Sequence, residues 1–185
     1  LSGLVGSEMC IRDRSTTDTL TGLLNRRGLD EAMALLQAAE TPLSIVAMDI
    51  DHFKHINDRY GHAAGDRALQ ALATLLTEGS RSGDTVARSG GEEFVMLMPG
   101  APLAAAVATA ERLRLKLAQL GATAGLPAPI TMSAGVAQYP LHGATLDEVI
   151  QQADRALYYA KNHGRNAVCV ADHQAPDGAR MALPR

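Results

Sequence analysis

One short run, Arg88-Ser89-Gly90-Gly91-Glu92-Glu93-Phe94, constrains the fold more than any other part of the chain. Strand-forming Thr85 to Arg88 precedes two glycines, and the apolar run from Phe94 to Met98 follows two carboxylates. The pattern predicts a β-hairpin with strands over 85–88 and 92–98 and a Gly-Gly tip. A tip without side chains lets a large anion approach the backbone, and the adjacent acids suit a cation. Phosphate together with metal is the implied chemistry.

A second acidic cluster lies far away in sequence. Residues 43–50, Leu-Ser-Ile-Val-Ala-Met-Asp-Ile, read as a buried strand that ends in Asp49-Ile50-Asp51. Acids at the C-terminal end of a core strand stand where α/β sheets bind ligands. If the strand stays extended, Asp49 and Asp51 share a face, and either one beside Glu92 and Glu93 would complete an all-oxygen site. Such a site suits Mg²⁺ or Mn²⁺ better than zinc.

Turn and helix signals fill in the rest. Asp18-Thr19-Leu20-Thr21 opens a turn before a helix bearing Leu29, Met33 and Leu36 at helical spacing. Helices are expected over 54–59, 64–76, 103–120 and 146–161, and further strands over 130–137 and 166–170. Prolines and Gly164 punctuate them. The resulting fold class is α/β (α+β), a mixed sheet flanked by helices. Residues 171–185 show no periodicity and are expected to be a disordered tail.

Composition excludes several classes. The chain has 185 residues, 46% of them apolar, enough for one core and no more than one domain is needed. Its net charge of −3 and the lack of a basic run speak against a nucleic-acid or membrane surface. The alanine-rich stretch 101–120 carries Glu111, Arg112, Arg114 and Lys116 at helical spacing and is no membrane span. Cys10 and Cys169 show no metal-ligand spacing, which suits a reducing, cytoplasmic setting, with Cys169 a core thiol. Residues 4–14 match the in-frame translation of a transposase-type sequencing adapter. Segment 1–15 is therefore read as a non-native leader and not as a targeting signal.

Taken together, the motifs resemble those of the GGDEF-domain diguanylate cyclases, which condense two GTP into cyclic di-GMP. Gly90-Gly91-Glu92-Glu93-Phe94 is the Glu-Glu variant of the signature. The other matching motifs are Asp18 to Arg27, Asp49 to Lys54 with Asn57-Asp58, Gly61-His62 with Gly65-Asp66, and Ala160 to Asn166. Order and spacing agree over 16–170. The resemblance implies a palm-like fold with a sheet of about five strands.

It also implies roles. Asp49, Glu92, Glu93 and the Ile50 carbonyl would hold two Mg²⁺ (or Mn²⁺) per active site, and Glu92 would take the hydroxyl proton. The amides of His52, Phe53 and Lys54 would receive phosphate at a helix start, with the Lys54 side chain neutralising charge during catalysis. Gly90 and Gly91 would face the substrate, while Lys161 and Arg165 would reach the terminal phosphates. Asn57, Asp66 and His62 would read guanine. Arg81 and Asp84, with Arg112, match an inhibitory product site of the Arg-x-x-Asp type. His52, His55, His142 and His163 are read as structural side chains. The partners implied are GTP, cyclic di-GMP, a second copy of the chain in a homodimer and an upstream sensory domain; the full-length protein could be membrane-anchored through it. The rival reading is a catalytically silent module that only binds GTP or cyclic di-GMP.

Overall fold

The structure is a computed structural model that describes residues 15–120, 125, 128–172, 174, 175 and 177–182. The expected leader, apart from Ser15, lies outside the described residues. In chain order the elements are α1 (Arg26–Ala38), β1 (Leu43–Ile50), α2 (Phe53–Tyr60), α3 (His62–Gly79), β2 (Thr85–Arg88) and β3 (Glu93–Pro99). These are followed by α4 (Leu103–Leu120), β4 (Met132–Tyr139), α5 (Leu146–Asn162), β5 (Val168–Ala171) and β6 (Ala179–Met181).

The strands form one mixed sheet in the order β2-β3-β1-β4-β5-β6. Every neighbouring pair is antiparallel except β4 and β5, which are parallel and therefore need a crossover; α5 supplies it. Central β1 is buried along its whole length because helices cover both faces of the sheet. Val46, Met48 and Ile50 pack with Phe94, Met96 and residues of α3 and α4. Ile45 and Ala47 pack with Val95, Leu97 and residues of α1 and α5. Burial on two faces explains the unbroken apolar run. By the same alternation, Ile50 falls on the α3/α4 side and Asp49 on the α1/α5 side.

Two local features fix α5, which will matter for the site. Thr145 caps its N-terminus by accepting from the Glu148 amide, and the Glu148 side chain returns to the Thr145 amide, a reciprocal capping box. Gly135 of β4 leaves room for the helix: a Cβ there would lie 2.0 Å from the Ala153 carbonyl oxygen and 2.3 Å from the Leu157 nitrogen. Small Ala153, Ala156 and Ala160 continue the close contact along α5.

The sheet has six strands where about five were expected, and the expected tail supplies the extra one. Beyond Ala171 the chain turns back at Gly178, and Ala179–Met181 pairs antiparallel with β5. Only Ala179 of the three is buried, so no alternating pattern announces the strand. Cys169 is a buried free thiol in β5, and burial pushes its pKa up to about 11, consistent with a core role. Among the described residues no helix is long and apolar enough to cross a membrane.

Candidate active site

The site begins where β1 ends. Asp49 lies directly opposite Glu93 in the β1–β3 register and opposite Ser133 in the β1–β4 register. Its carboxylate is 7% exposed and one oxygen, Oδ2, pairs with Lys161 Nζ of α5 at 2.7 Å. The other oxygen, Oδ1, is buried and receives no hydrogen bond. Burial pushes the Asp49 pKa up to about 6; Lys161 opposes the rise, and the charges of Glu92 and Glu93 add to it. A buried carboxylate with one unpartnered oxygen and acidic neighbours is an arrangement that a cation would relieve.

Asp51 answers the question left by the sequence. Although only two residues away and buried, it accepts from Thr131 Oγ1 at 2.7 Å, Ser133 Oγ at 2.7 Å and the Asn166 amide at 2.9 Å. Those donors tie β1 to the start of β4 and to the α5–β5 connection. Asp51 is thus committed to holding the framework, and the free ligand capacity sits on Asp49.

The hairpin forms as expected. Ser89 and Gly90 amides both point at the Glu93 carbonyl, at 2.9 and 3.4 Å, leaving Gly90, Gly91 and Glu92 at the tip. Neither glycine is among the residues with positive φ, so the turn itself does not demand them. Only Gly90 is crowded, since a Cβ there would strike the Glu93 carboxylate, whereas one on Gly91 would meet nothing within 4 Å. The bare backbone is open to a ligand.

Arg88 anchors this tip, a role the sequence did not reveal. Its Nε and Nη2 donate to the Gly91 carbonyl at 3.0 and 2.6 Å, and its Nη1 donates to both oxygens of Asp18 at 3.1 Å. Asp18 also closes its own turn by accepting from the Thr21 amide and hydroxyl. Burial alone would raise the Asp18 pKa, but the hydrogen bonds from Thr21 and Arg88 outweigh it and hold the carboxyl below its ordinary value. The N-terminal turn, joined to β2 through Arg88 N–H to the Leu24 carbonyl at 2.7 Å, therefore braces the hairpin.

Two further regions converge here. Helix α2 starts at His52, which holds a left-handed backbone conformation (φ 55°) and makes no side-chain cap hydrogen bond. The first amides of α2 are thus left without a side-chain cap. From the other side, α5 carries Lys161 in its last turn, and Gly164 (φ 106°) and Arg165 (φ 62°) follow it, with the Arg165 amide bonded to the Ala160 carbonyl at 3.0 Å. Exposed Lys54 pairs with Asp58 at 3.1 Å one turn along α2. The cation in contact with the acidic centre is Lys161.

Asn57 and Gly65 meet where α2 and α3 pack. A Cβ on Gly65 would lie 1.9 Å from Asn57 Oδ1, so glycine allows the approach. That Oδ1 is buried without a hydrogen-bond partner. Asp66 and His62 are exposed on α3. Elsewhere, Arg81 Nε and amide occupy both oxygens of Asp84 at 3.0 and 3.1 Å, and Arg112 reaches the Gly79 carbonyl at 3.1 Å. All three residues gather at the C-terminal end of α3, away from Asp49 in the sheet. Of the histidines read as structural, His142 is buried and accepts from the Gln138 amide at 2.9 Å, and His163 stacks on Tyr159. His52 and His55 differ: they are exposed on α2.

The sequence model described as "Diguanylate cyclase, GGDEF domain" matches residues 15–167. The chain belongs to this family. The GGDEF chain is 44% identical over 162 residues to diguanylate cyclase DgcM of Escherichia coli (strain K12), covering 83% of this chain and 38% of that protein. It is 42% identical over 165 residues to diguanylate cyclase DgcP of Pseudomonas aeruginosa, covering 86% and 24%. It therefore spans well under half of these curated relatives. Among solved structures, the GGDEF domain of DgcB from Caulobacter crescentus in complex with c-di-GMP superposes with a TM-score of 0.77 at 33% identity, over 86% of this chain and 98% of that one. The active GGEEF domain of a diguanylate cyclase from Vibrio cholerae gives 0.72 at 32% identity, over 82% and 99%.

Proposed function

We propose that this GGDEF domain is the catalytic unit of a diguanylate cyclase, joining two GTP into cyclic di-GMP with release of two pyrophosphates. The observation that carries the reading is the unpartnered, buried Oδ1 of Asp49, set beside Glu92, Glu93 and Lys161 at the end of β1.

Among the described residues no three Asp, Glu, His or Cys side chains converge into a cation cage. Mg²⁺ or Mn²⁺ completes its shell with water and substrate phosphate, so the acidic centre at Asp49 could hold it without such a cage. Asp49, Glu92, Glu93 and the Ile50 carbonyl would hold it. When bound, such ions, two per site in this reading, lower the pKa of the ribose 3′-hydroxyl and neutralise triphosphate charge.

The residues divide the remaining work. Glu92 accepts the 3′-hydroxyl proton as that oxygen bonds to the α-phosphorus of the other GTP and the bond to the β-phosphate oxygen breaks. Lys161 exchanges its Asp49 contact for phosphate, together with Arg165. The amides of His52, Phe53 and Lys54 receive phosphate at the α2 N-terminus. Gly90 and Gly91 let the nucleotide approach the hairpin backbone. Asn57 Oδ1 accepts from guanine, whose N1 and N2 donors also suit Asp66, with His62 at the rim. One such site holds one GTP, so two subunits face each other for each product, and an upstream domain would control that pairing.

The test is incubation of purified protein with Mg²⁺ and GTP or ATP. Cyclic di-GMP forms from GTP and no cyclic dinucleotide forms from ATP; GTP binding without product would leave only a nucleotide-binding module. Glu92→Ala lowers the rate by about a hundredfold or more, the usual contribution of a positioned base, without altering the melting temperature. A folded variant with near-parent activity removes Glu92 from the mechanism.

We further read Arg81, Asp84 and Arg112 as an inhibitory product site. The Asp84 side chain is 2% exposed and taken up by Arg81, whose own side chain donates also to the Pro99 carbonyl yet stays 54% exposed, so Arg81 is the group within reach of a phosphate or guanine. Arg81→Ala raises the cyclic di-GMP concentration needed for inhibition without lowering the initial rate. Unchanged inhibition would reduce the motif to a turn held by an ion pair.

A further inference from the structure

A cavity of about 520 Å³ lies between α2 and residues 128–131. His52, His55 and Arg59 supply its polar wall, and Ile56, Tyr60 and Ile130 its apolar one. It is distinct from the guanine side: Asn57 stands two residues from both His55 and Arg59, about 200° round the helix. Asp51 is the single acid in the lining, and its two oxygens are already engaged by Thr131, Ser133 and Asn166. Those donors turn the Asp51 oxygens away from the cavity's cationic wall, where His55 and Arg59 are the groups free to meet an anion among the described lining residues. The Arg59 guanidinium lies over the Tyr60 ring, 5.3 Å from its centroid, which holds the cation against a flat aromatic surface.

We propose that this cavity is a second ligand site, for a small planar ring bearing a phosphate, the chemical class of a nucleoside monophosphate. Arg59 and His55 would take the anionic group, and Tyr60, Ile56 and Ile130 the ring. The volume lies within the range of small-molecule sites, where a mainly apolar lining carries a few placed polar groups. A ligand seated there grips the same helix that presents Asn57 on its far side.

The experiment is titration of the full chain with 5′-AMP, followed by NMR of isoleucine δ1 methyl groups. Adenine is chosen because it lacks the donor edge that Asn57 and Asp66 would read. Ile56 and Ile130 line the cavity, whereas Ile45 and Ile150 pack on the opposite face of the sheet. The expected result is saturable shifts at Ile56 and Ile130 with a Kd of about 1 mM or tighter, silence at Ile45 and Ile150, and weaker binding of adenosine or inorganic phosphate alone. Exposed His55 and Arg59 can be replaced without touching the core; His55→Ala and Arg59→Ala each weaken binding about tenfold, as loss of a charge-assisted contact does. The proposal is overturned by no saturable shift up to about 10 mM, by shifts confined to isoleucines other than Ile56 and Ile130, by unchanged affinity in both variants, or by phosphate alone binding as tightly as AMP. The readout is binding, so it stands or fails separately from cyclase activity.

Discussion

Asp49→Asn yields a domain that makes no cyclic di-GMP yet melts about 5–10 °C higher than the parent near pH 7.5. Burial raises the Asp49 pKa from 3.8 to about 6 in the folded chain, even with Lys161 in contact. Between these values the native state binds more protons than the unfolded one, so stability falls as pH rises through that window and the deficit is complete above it. The ionised carboxylate then costs on the order of 2–3 kcal/mol, which the neutral amide avoids while still accepting from Lys161. The gain is therefore present at neutral pH and vanishes at about pH 4, where folded and unfolded Asp49 are both protonated. Thermal melts at the two pH values test this; an equal shift at both, or none, rules out a strained carboxylate. Adding Mg²⁺ should narrow the difference by stabilising the parent and not the variant, because the amide lacks the charge that holds the ion. Stability given up at Asp49 is the expected mark of a group kept for binding.

What could be read from the sequence was local, and what could not was settled by distant partners. The hairpin was legible because Gly90 and Gly91 stand between two strand-like runs, and β1 was legible because burial on both faces gives an unbroken apolar stretch. Spacing alone could not choose between Asp49 and Asp51, and only the resemblance named Asp49, because the donors that occupy Asp51 come from Thr131, Ser133 and Asn166. Lys161 was named only through the resemblance, because its contact with Asp49 depends on where α5 lies against the sheet. The brace from Asp18 to Arg88 spans 70 residues, and nothing in either motif names the other as its partner. Strand β6 escaped because three residues with one buried alanine carry no periodic signal.

The second large effect comes from Gly135, which no motif singles out. Its added Cβ in Gly135→Ala would meet backbone atoms of α5, the Ala153 carbonyl oxygen at 2.0 Å and the Leu157 nitrogen at 2.3 Å, and no rotamer change can relieve backbone. The helix must lift from β4 or the strand must bend, at about 3 kcal/mol or more, a fall of about 6–12 °C in melting temperature for a domain of this size. Lifting α5 also draws Lys161 from Asp49, so GTP turnover falls in whatever fraction remains folded. Gly91→Ala is the matched contrast. Its Cβ meets nothing within 4 Å, so the fold keeps its melting temperature, while a methyl group stands where the nucleotide would approach the hairpin. The expected outcome is a large loss of stability for Gly135→Ala and a loss confined to kcat/KM for Gly91→Ala. A Gly135→Ala domain as stable as the parent would mean that α5 does not rest on β4 as described; a Gly91→Ala domain with parent kinetics would mean that the open tip does not face substrate.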